Sequence, residues 1–294
     1  MADRSLRTLD RPPALAPLLT RGALLSPVKK AALNRPRPHA DCPRTRLTLP
    51  GVRIDLARLA AYERVCGFPT GDDALPVTYP HVLGFPLAMR LMTDRSFPLP
   101  LLGLVHTSVE IVRWRPLAAT GLYELSVYVD ELAPHRRGTE ASVRTDLREG
   151  EELVWESRST YLARHGSRAV VPSAPAAAPE EREVLPLVAE WRLGGDVGRR
   201  YAAVSGDRNP IHLHALGARL FGFRRAIAHG MWTVARCLAA HGVPESTLVR
   251  AEFKAPVLLP GAVGYGADGF GSFELRGGSG SGGRVHLLGE VRAV

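Results

Sequence analysis

Two stretches of this 294-residue chain would be apolar on nearly all sides if they coiled into helices. Their sequences are HVLGFPLAMRLM at residues 81–92 and HGMWTVARCLAA at residues 229–240. A helix with one face in water shows a polar stripe, so a helix without one must be covered on most sides. Several segments rich in β-branched or aromatic residues follow each stretch, punctuated by Gly or Pro. The sequence therefore predicts an α+β chain in which strands cover two buried helices.

The predicted strands fall into two groups, one behind each apolar helix. The first group is LVHTSVEIVRW, LYELSVYVDEL, TEASVRTDLRE and ELVWESRSTYLAR, with Gly150 and Glu151 as a hairpin turn. The second group is TLVRAEFKAPVLL, VGYGADGF, GSFELRG and RVHLLGEVRAV, with GGSGSGG as a hairpin tip. A further strand, LPLVAEWRL, precedes the second apolar helix.

Composition divides the chain into four parts. Residues 1–42 are rich in Pro and Arg, and we expect an extension with a short helix that lies on the surface or on a partner. Residues 166–182 contain Ala, Pro and Ser without periodicity, which is typical of a linker. We therefore expect one domain at 43–165 and a second at 183–294.

The two halves share sequence anchors in the same order, which indicates an internal duplication. The matched pairs, 139 to 148 positions apart, are Tyr62 and Tyr201, Val65 and Val204, Gly67 and Gly206, Phe68 and Asp207, His81 and His229, and Arg113 and Phe253. Phe68 thus stands where the second half has Asp207. The first half also has a shorter segment between these positions and the histidine, 13 positions against 22. The segment that it lacks carries Asn209 and His212, so we expect a polar site in the second half alone.

Several polar side chains are concentrated in that site. Asp207, Asn209 and His212 fall within six positions around a proline, and His229 and Gly230 open the second apolar helix. A carboxylate and an imidazole at this spacing are candidates for acid–base chemistry. The structural alternative is an Asn-Pro turn whose polar side chains cap the neighbouring backbone.

Two other kinds of chemistry fit these residues less well. Asp207, His212, His214 and His229 could be metal ligands, but their spacing fits no zinc pattern. His212 and His214 would also point apart on an extended chain, so we expect no metal. Ser205 lacks the G-x-S-x-G context of a nucleophilic serine.

Together these residues resemble the signature of the MaoC-like, or hydratase 2, family of (R)-specific enoyl thioester hydratases. The matching positions are Tyr201, Val204-Ser205-Gly206-Asp207, Asn209-Pro210-Ile211-His212, Ala218 and His229-Gly230-Met231. The match covers about 40 residues in one run, and the strand-rich first half is similar to the degenerate half of two-domain members. The chain departs from the family at Trp232 and at His214, where an acidic residue is common.

The resemblance implies a double hot dog, in which two curved antiparallel sheets each wrap a buried helix. Such a chain is a pseudo-dimer by itself, and a homodimer of two chains is left open. It also implies reversible syn hydration of trans-2-enoyl thioesters, equivalent to dehydration of (R)-3-hydroxyacyl thioesters, in fatty-acid or related acyl metabolism. No metal or redox cofactor is required.

The same resemblance implies a role for each site residue. Asp207 and His212 would activate water, and Asn209 would orient that water or His212. The backbone N–H of Gly230, at a helix start, would stabilise the negative charge that develops on the thioester oxygen. The residues expected to contact the substrate are Ser205, Phe223, His229 and Met231.

The charge of the chain bears on its partners. The net charge is +9 and the pI is near 10. The arginines are scattered, without a Lys/Arg block, zinc-finger spacing or an aromatic RNA-binding signature, so we expect no nucleic-acid partner. A basic surface fits both coenzyme A and an acidic acyl carrier protein, and does not choose between them.

Cysteine usage and hydropathy indicate a compartment. The three cysteines, Cys42, Cys66 and Cys237, are far apart and form no CxxC, which favours a reducing environment. No apolar run approaches about 18 residues, so we expect no membrane span. The opening MADRSLRTLDRPP is unlike a signal peptide. We therefore expect a cytoplasmic protein.

Two rival functions share the same fold class. A hot-dog thioesterase is disfavoured by the intact pair of Asp207 and His212. A non-catalytic acyl-thioester-binding subunit has no reason to bury these polar groups. His81 and His106 are expected to be structural, with a place near an acyl tunnel as the alternative. Because Phe68 replaces a charge in the first half, we expect room there for acyl chains of C8 or longer.

Overall fold

The computed structural model describes residues 4–33, 42–166, 183–278 and 283–294, and the strands in these ranges form one sheet of eleven strands. The strands are β1 (Ser5–Thr8), β2 (Thr45–Arg53), β3 (Leu104–Arg113), β4 (Leu122–His135), β5 (Gly138–Glu149), β6 (Glu152–Arg164), β7 (Leu187–Leu193), β8 (Thr247–Phe253), β9 (Gly261–Ala267), β10 (Ser272–Gly277) and β11 (Val285–Ala293). The helices are α1 (Leu15–Leu33), α2 (Leu56–Cys66), α3 (Tyr79–Met92), α4 (Val197–Ser205), α5 (Pro210–Leu213), α6 (Ala215–Arg219) and α7 (Gly230–His241).

Two runs of five strands with the same connectivity make up most of this sheet. The order is β2-β4-β5-β6-β3 in the first half and β7-β9-β10-β11-β8 in the second. Each strand of one half thus has a counterpart in the other, which supports the duplication. The halves join where β3 pairs antiparallel with β8. There Glu110 faces Arg250, 140 positions away, and the two form an ion pair of 2.6 Å.

The two apolar stretches form the central helices α3 and α7. Ten of the fourteen residues of α3 are buried, and α3 packs on β4 and β5. In α7 seven of twelve residues are buried, and α7 packs on β10 and β11. Gly84 lets α3 approach the sheet closely, because a Cβ there would lie 2.8 Å from the Thr145 methyl group. The predicted α+β double hot dog is confirmed.

Local sequence signals place several element ends correctly. Asp55 caps α2, and its carboxylate accepts a hydrogen bond from the Arg58 N–H at 3.0 Å. Gly150, with φ of 59°, makes the predicted turn between β5 and β6. Within the described ranges, no helix combines the length and apolar character that crossing a bilayer requires.

Residues 4–33 contain more regular structure than their composition suggests. β1 pairs in parallel with β2, and α1 extends over 19 residues, through Pro27. One stripe of α1 is buried, at Leu18, Gly22 and Ser26, and a Cβ on Gly22 would meet the Thr93 and Leu101 side chains. Tertiary packing thus sustains a helix where local propensity indicates only a short one.

Two predicted connections fall largely outside the described residues. They are the linker, apart from Gly166, and positions 279–282 of the GGSGSGG tip. The division into domains at 43–165 and 183–294 therefore stays a prediction.

Candidate active site

The polar site begins with a tight turn at the end of α4. Gly206 adopts a left-handed conformation, with φ of 84°, and its N–H donates to the Ala202 carbonyl at 3.0 Å. Ser205 Oγ accepts from the Asp207 N–H at 3.2 Å, and Asp207 Oδ1 accepts from the Asn209 N–H at 3.1 Å. Asp207 Oδ2 is left for other partners. The Asn-Pro turn with capping side chains, which the sequence offered as the structural alternative, is therefore present. The same turn orients the Asp207 carboxylate.

The Asn209 side chain makes a hydrogen bond that stabilises this turn. Its side-chain oxygen accepts from the Ile211 N–H at 3.4 Å and caps the short helix α5. The His212 backbone N–H donates to the Asn209 backbone carbonyl at 3.0 Å, but among the described residues no hydrogen bond joins the two side chains. The expected role of Asn209 in orienting His212 thus stays a prediction.

His212 is held in one tautomer by the backbone. The ring is buried, and Nδ1 donates to the Ile227 carbonyl at 2.9 Å, since a carbonyl can only accept. Nε2 is then the nitrogen with the free lone pair. Burial lowers the pKa of His212 below its ordinary value, and the nearby Asp207 carboxylate opposes this. A neutral imidazole beside a carboxylate can accept a proton and return it.

His229 stacks on His212, with ring centroids 3.7 Å apart. Its Nε2 donates to the backbone carbonyl of Asp207 at 2.9 Å and lies 3.9 Å from Asp207 Oδ2. Burial, and then His212, lower the pKa of His229 to about 3, so the ring is neutral at pH 7. His229 therefore braces the turn from the opposite side.

The three groups also have the geometry of a metal-ligand cluster. Asp207, His212 and His229 each offer a ligand atom within 4.8 Å of the others. One nitrogen of each ring already donates to a backbone carbonyl. One carboxylate oxygen and two imidazole lone pairs remain, which is also what an acid–base site requires. The expectation that no metal binds stays a prediction.

Gly230 begins α7, and its N–H belongs to the first turn, where helix N–H groups lack intrahelical partners. A Cβ at this position would lie 2.9 Å from the Phe253 ring, so the packing of β8 on the helix requires glycine. Met231, the next residue, is buried. Phe223 is half-buried in the loop after α6, where its N–H donates to the Ala218 carbonyl at 3.1 Å.

The first half holds the turn that carries Asp207 in place. Arg58, on α2, donates through Nε to the Val204 carbonyl at 2.7 Å and through Nη2 to the Ser205 carbonyl at 3.4 Å. Trp232 Nε1 donates back to the Val65 carbonyl at 3.0 Å. Arg58 was missed from sequence because an arginine on an amphipathic helix looks like a surface residue.

Gly198 is a second residue missed from sequence. It lies in the first turn of α4, where a Cβ would collide with the backbone carbonyl of His212. A glycine within a helix is the sequence signal for such a close approach.

The fold and site together define a double hot dog protein with one polar site. Residues 180–267 match the family model described as a MaoC like domain. The chain is 37% identical over 262 residues to the 3-hydroxyacyl-thioester dehydratase X of Mycobacterium tuberculosis, covering 87% of this chain and 92% of that protein.

Solved structures agree with this match. The crystal structure of HtdX from Mycobacterium tuberculosis has a TM-score of 0.72 and 34% identity, over 85% of this chain and all of that one. A MaoC-like dehydratase from Phytophthora capsici, with a TM-score of 0.67 and 17% identity over 87% of this chain and 96% of that chain, shares the fold. The chain belongs to the MaoC-like dehydratase family.

Proposed function

We propose that this chain is a hydro-lyase that dehydrates (R)-3-hydroxyacyl thioesters and, in reverse, hydrates trans-2-enoyl thioesters. The observation that carries the proposal is the neutral His212, which lies in one cluster with the Asp207 carboxylate and whose Nε2 keeps a free lone pair because Nδ1 bonds the Ile227 carbonyl. The family to which the chain belongs, and the name of its Mycobacterium tuberculosis relative, support the same reaction.

In the hydration direction, Asp207 and His212 hold one water molecule between them. His212 Nε2 takes a proton from this water as the hydroxyl oxygen bonds to C3 of the enoyl group. The imidazolium, stabilised by Asp207, then gives its proton to C2. Because the hydroxyl and the proton reach the substrate from the same side, the addition is syn. Acid–base assistance of this kind contributes on the order of 10²- to 10⁴-fold.

The thioester oxygen gains negative charge between these two steps. We assign its stabilisation to the Gly230 N–H, at the positive end of the α7 dipole. A donor of this kind is worth roughly 10²- to 10³-fold. Met231, Phe223, His229 and Ser205 are proposed to shape the surrounding pocket, the last two through their contacts with Asp207.

The finer features of the function are also proposals. The basic charge supports a coenzyme A or acyl carrier protein thioester as the substrate carrier. Separated cysteines support the cytoplasm as the compartment. Acyl chains of C8 or longer are expected to be preferred over C4.

The decisive assay follows the absorbance of crotonyl-CoA and 2-octenoyl-CoA with the wild-type protein, Asp207→Asn and His212→Ala. The proposal expects hydration by the wild type and a loss of at least about 10²-fold in each variant. Activity that survives both substitutions would contradict the roles assigned to Asp207 and His212. Tight acyl-CoA binding without any turnover would favour a binding subunit.

A further inference from the structure

The first half contains a group of buried polar atoms without partners. In the described part of the chain these include His81 Nδ1, His106 Nε2, Ser157 Oγ and Ser159 Oγ. Buried polar groups are normally hydrogen-bonded, so each exception calls for an explanation. A group of them in the half without the catalytic turn points to a bound molecule or to water.

These atoms lie at or beside one pocket between α3 and the sheet. Its walls include His81 and Phe85 on the helix, and Thr145, Ser159 and Tyr161 on β5 and β6, around a space of about 10 Å³, the size of one water molecule or one oxygen atom. Ser157 and Ser159 face the same side of β6, because side chains alternate along a strand. His106 is the strand partner of Tyr161, and their rings stack with centroids 4.5 Å apart.

The second half shows that this polarity is not a requirement of the fold. By sheet register, the positions equivalent to Ser157 and Ser159 are Gly289 and Val291 on β11. The Phe273 ring occupies the space that a side chain at Gly289 would need. The second half therefore fills this space with the Phe273 ring, whereas the first half lines the equivalent space with the hydroxyl groups of Ser157 and Ser159.

The pocket adjoins the candidate site through Phe253. The Phe253 and His106 ring centroids are 4.8 Å apart, and the Phe253 ring also lies against Gly230, where a Cβ would be 2.9 Å from it. Burial lowers the pKa of His81 to about 4 and that of His106 to about 3, so both rings are neutral at pH 7. Neutral rings and hydroxyl groups favour an uncharged polar ligand over an anion.

We propose that this pocket receives an uncharged oxygen, a hydroxyl or a carbonyl, on the acyl chain beyond the reacting carbons. The substrate class is then an oxygenated acyl thioester, an inference that rests on the proposed dehydratase function. A purely hydrocarbon chain would leave the hydroxyl and imidazole groups unpaired, whereas a chain oxygen at the matching carbon pairs with them.

The test compares trans-2-octenoyl-CoA with analogues that carry a hydroxyl or an oxo group at C5, C6, C7 or C8. In the wild type at least one analogue is expected to exceed the parent about tenfold or more in kcat/KM. In the double variant Ser157→Ala/Ser159→Ala, the ratio between that analogue and the parent falls towards one. Ser142→Ala is the matched control. Ser142 is a buried serine on β5 next to the pocket residue Val143, so its side chain points to the opposite face of the strand. This variant is expected to keep the wild-type ratio.

The outcomes separate this inference from the underlying function. If the parent and all analogues are hydrated equally by the wild type, the pocket holds only water and the inference is overturned. If the preference for the oxygenated analogue persists in the double variant, groups other than Ser157 and Ser159 cause it, and the inference is overturned as well. If neither the parent nor any analogue is hydrated, the dehydratase function itself fails. The wild-type series decides the question even if the double variant does not fold.

Discussion

At the scale of single residues, a backbone atom 15 positions away, the Ile227 carbonyl, determines which nitrogen of His212 keeps a free lone pair. Two further contacts hold this ring in place. His229 stacks on one of its faces, and Gly198 lets α4 approach the His212 backbone. The motif supplies the functional groups, and neighbours outside it determine their protonation and position.

Gly198→Ala tests the requirement for this close approach. The new methyl group would collide with the His212 carbonyl, so α4 and α5 must separate. A displacement of about 1 Å at a catalytic group costs about 10²-fold, and we expect a fall of that size in kcat. Gly195→Ala is the control, because its Cβ would meet Pro260 at 3.7 Å, an ordinary contact. A folded Gly198→Ala protein with the wild-type kcat would refute this role.

At the scale of elements, the turn that carries Asp207 is held jointly by the two halves. Helix α2 of the first half packs against α4, and Arg58 bonds the last carbonyls of α4. Tyr62 and Tyr201, equivalent in the duplication, lie with ring centroids 6.1 Å apart across this contact. The first half has thus lost the polar site but keeps a positioning role.

Arg58→Ala is expected to lower kcat by about tenfold or more and to destabilise the protein by about 1.5–3 kcal/mol, since charged hydrogen bonds are worth that much. Arg58→Lys should recover only part of the rate, because a single ammonium group lacks the planar fork that reaches both carbonyls. Arg64→Ala, exposed on the same helix, is the control. Turnover measurements and urea unfolding of the three variants check this, and equal rates in Arg58→Ala and Arg64→Ala would contradict it.

Elements with local signals could be predicted from sequence, and long-range contacts could not. The missing polar stripe identified α3 and α7, and Gly150 marked the turn between β5 and β6. The bonds of Arg58 to Val204 and of His212 to Ile227 have no such local pattern. They exist because distant segments meet in the folded chain.

At the scale of the whole molecule, acid sensitivity follows from burying several neutral histidines. Burial lowers the pKa of His81 to about 4, and those of His106 and His229 to about 3. Below about pH 6.5 the unfolded chain binds protons at these positions and the folded chain does not. Stability is therefore lost as the pH falls from about 6.5 towards 4, and is fully present above that window.

Urea unfolding between pH 7.5 and 4.5 measures this loss. Each buried histidine contributes up to about 1.4 kcal/mol per pH unit to the slope of unfolding free energy against pH. His106→Phe should flatten the slope by about that amount, whereas the exposed His214→Phe should keep the wild-type slope. Identical slopes for His106→Phe and the wild type would show that His106 is not neutral when folded.

One sheet whose described residues hold one cluster of a carboxylate and two imidazoles is the central feature of the molecule. The shorter segment after Phe68 predicts this asymmetry from sequence, and the structure brings Asp207, His212 and His229 together in the second half. The N-terminal helix α1 could not be anticipated in full, because packing against α3 rather than its own composition sustains it.

A double-mutant cycle on 2-octenoyl-CoA hydration tests the central claim most directly. If Asp207 and His212 activate one water molecule as a unit, each single variant loses about 10²- to 10⁴-fold in kcat. The double variant Asp207→Asn/His212→Ala should then be hardly slower than the slower single variant. Losses that multiply in the double variant, or activity that survives in it, would contradict a single site built on this pair.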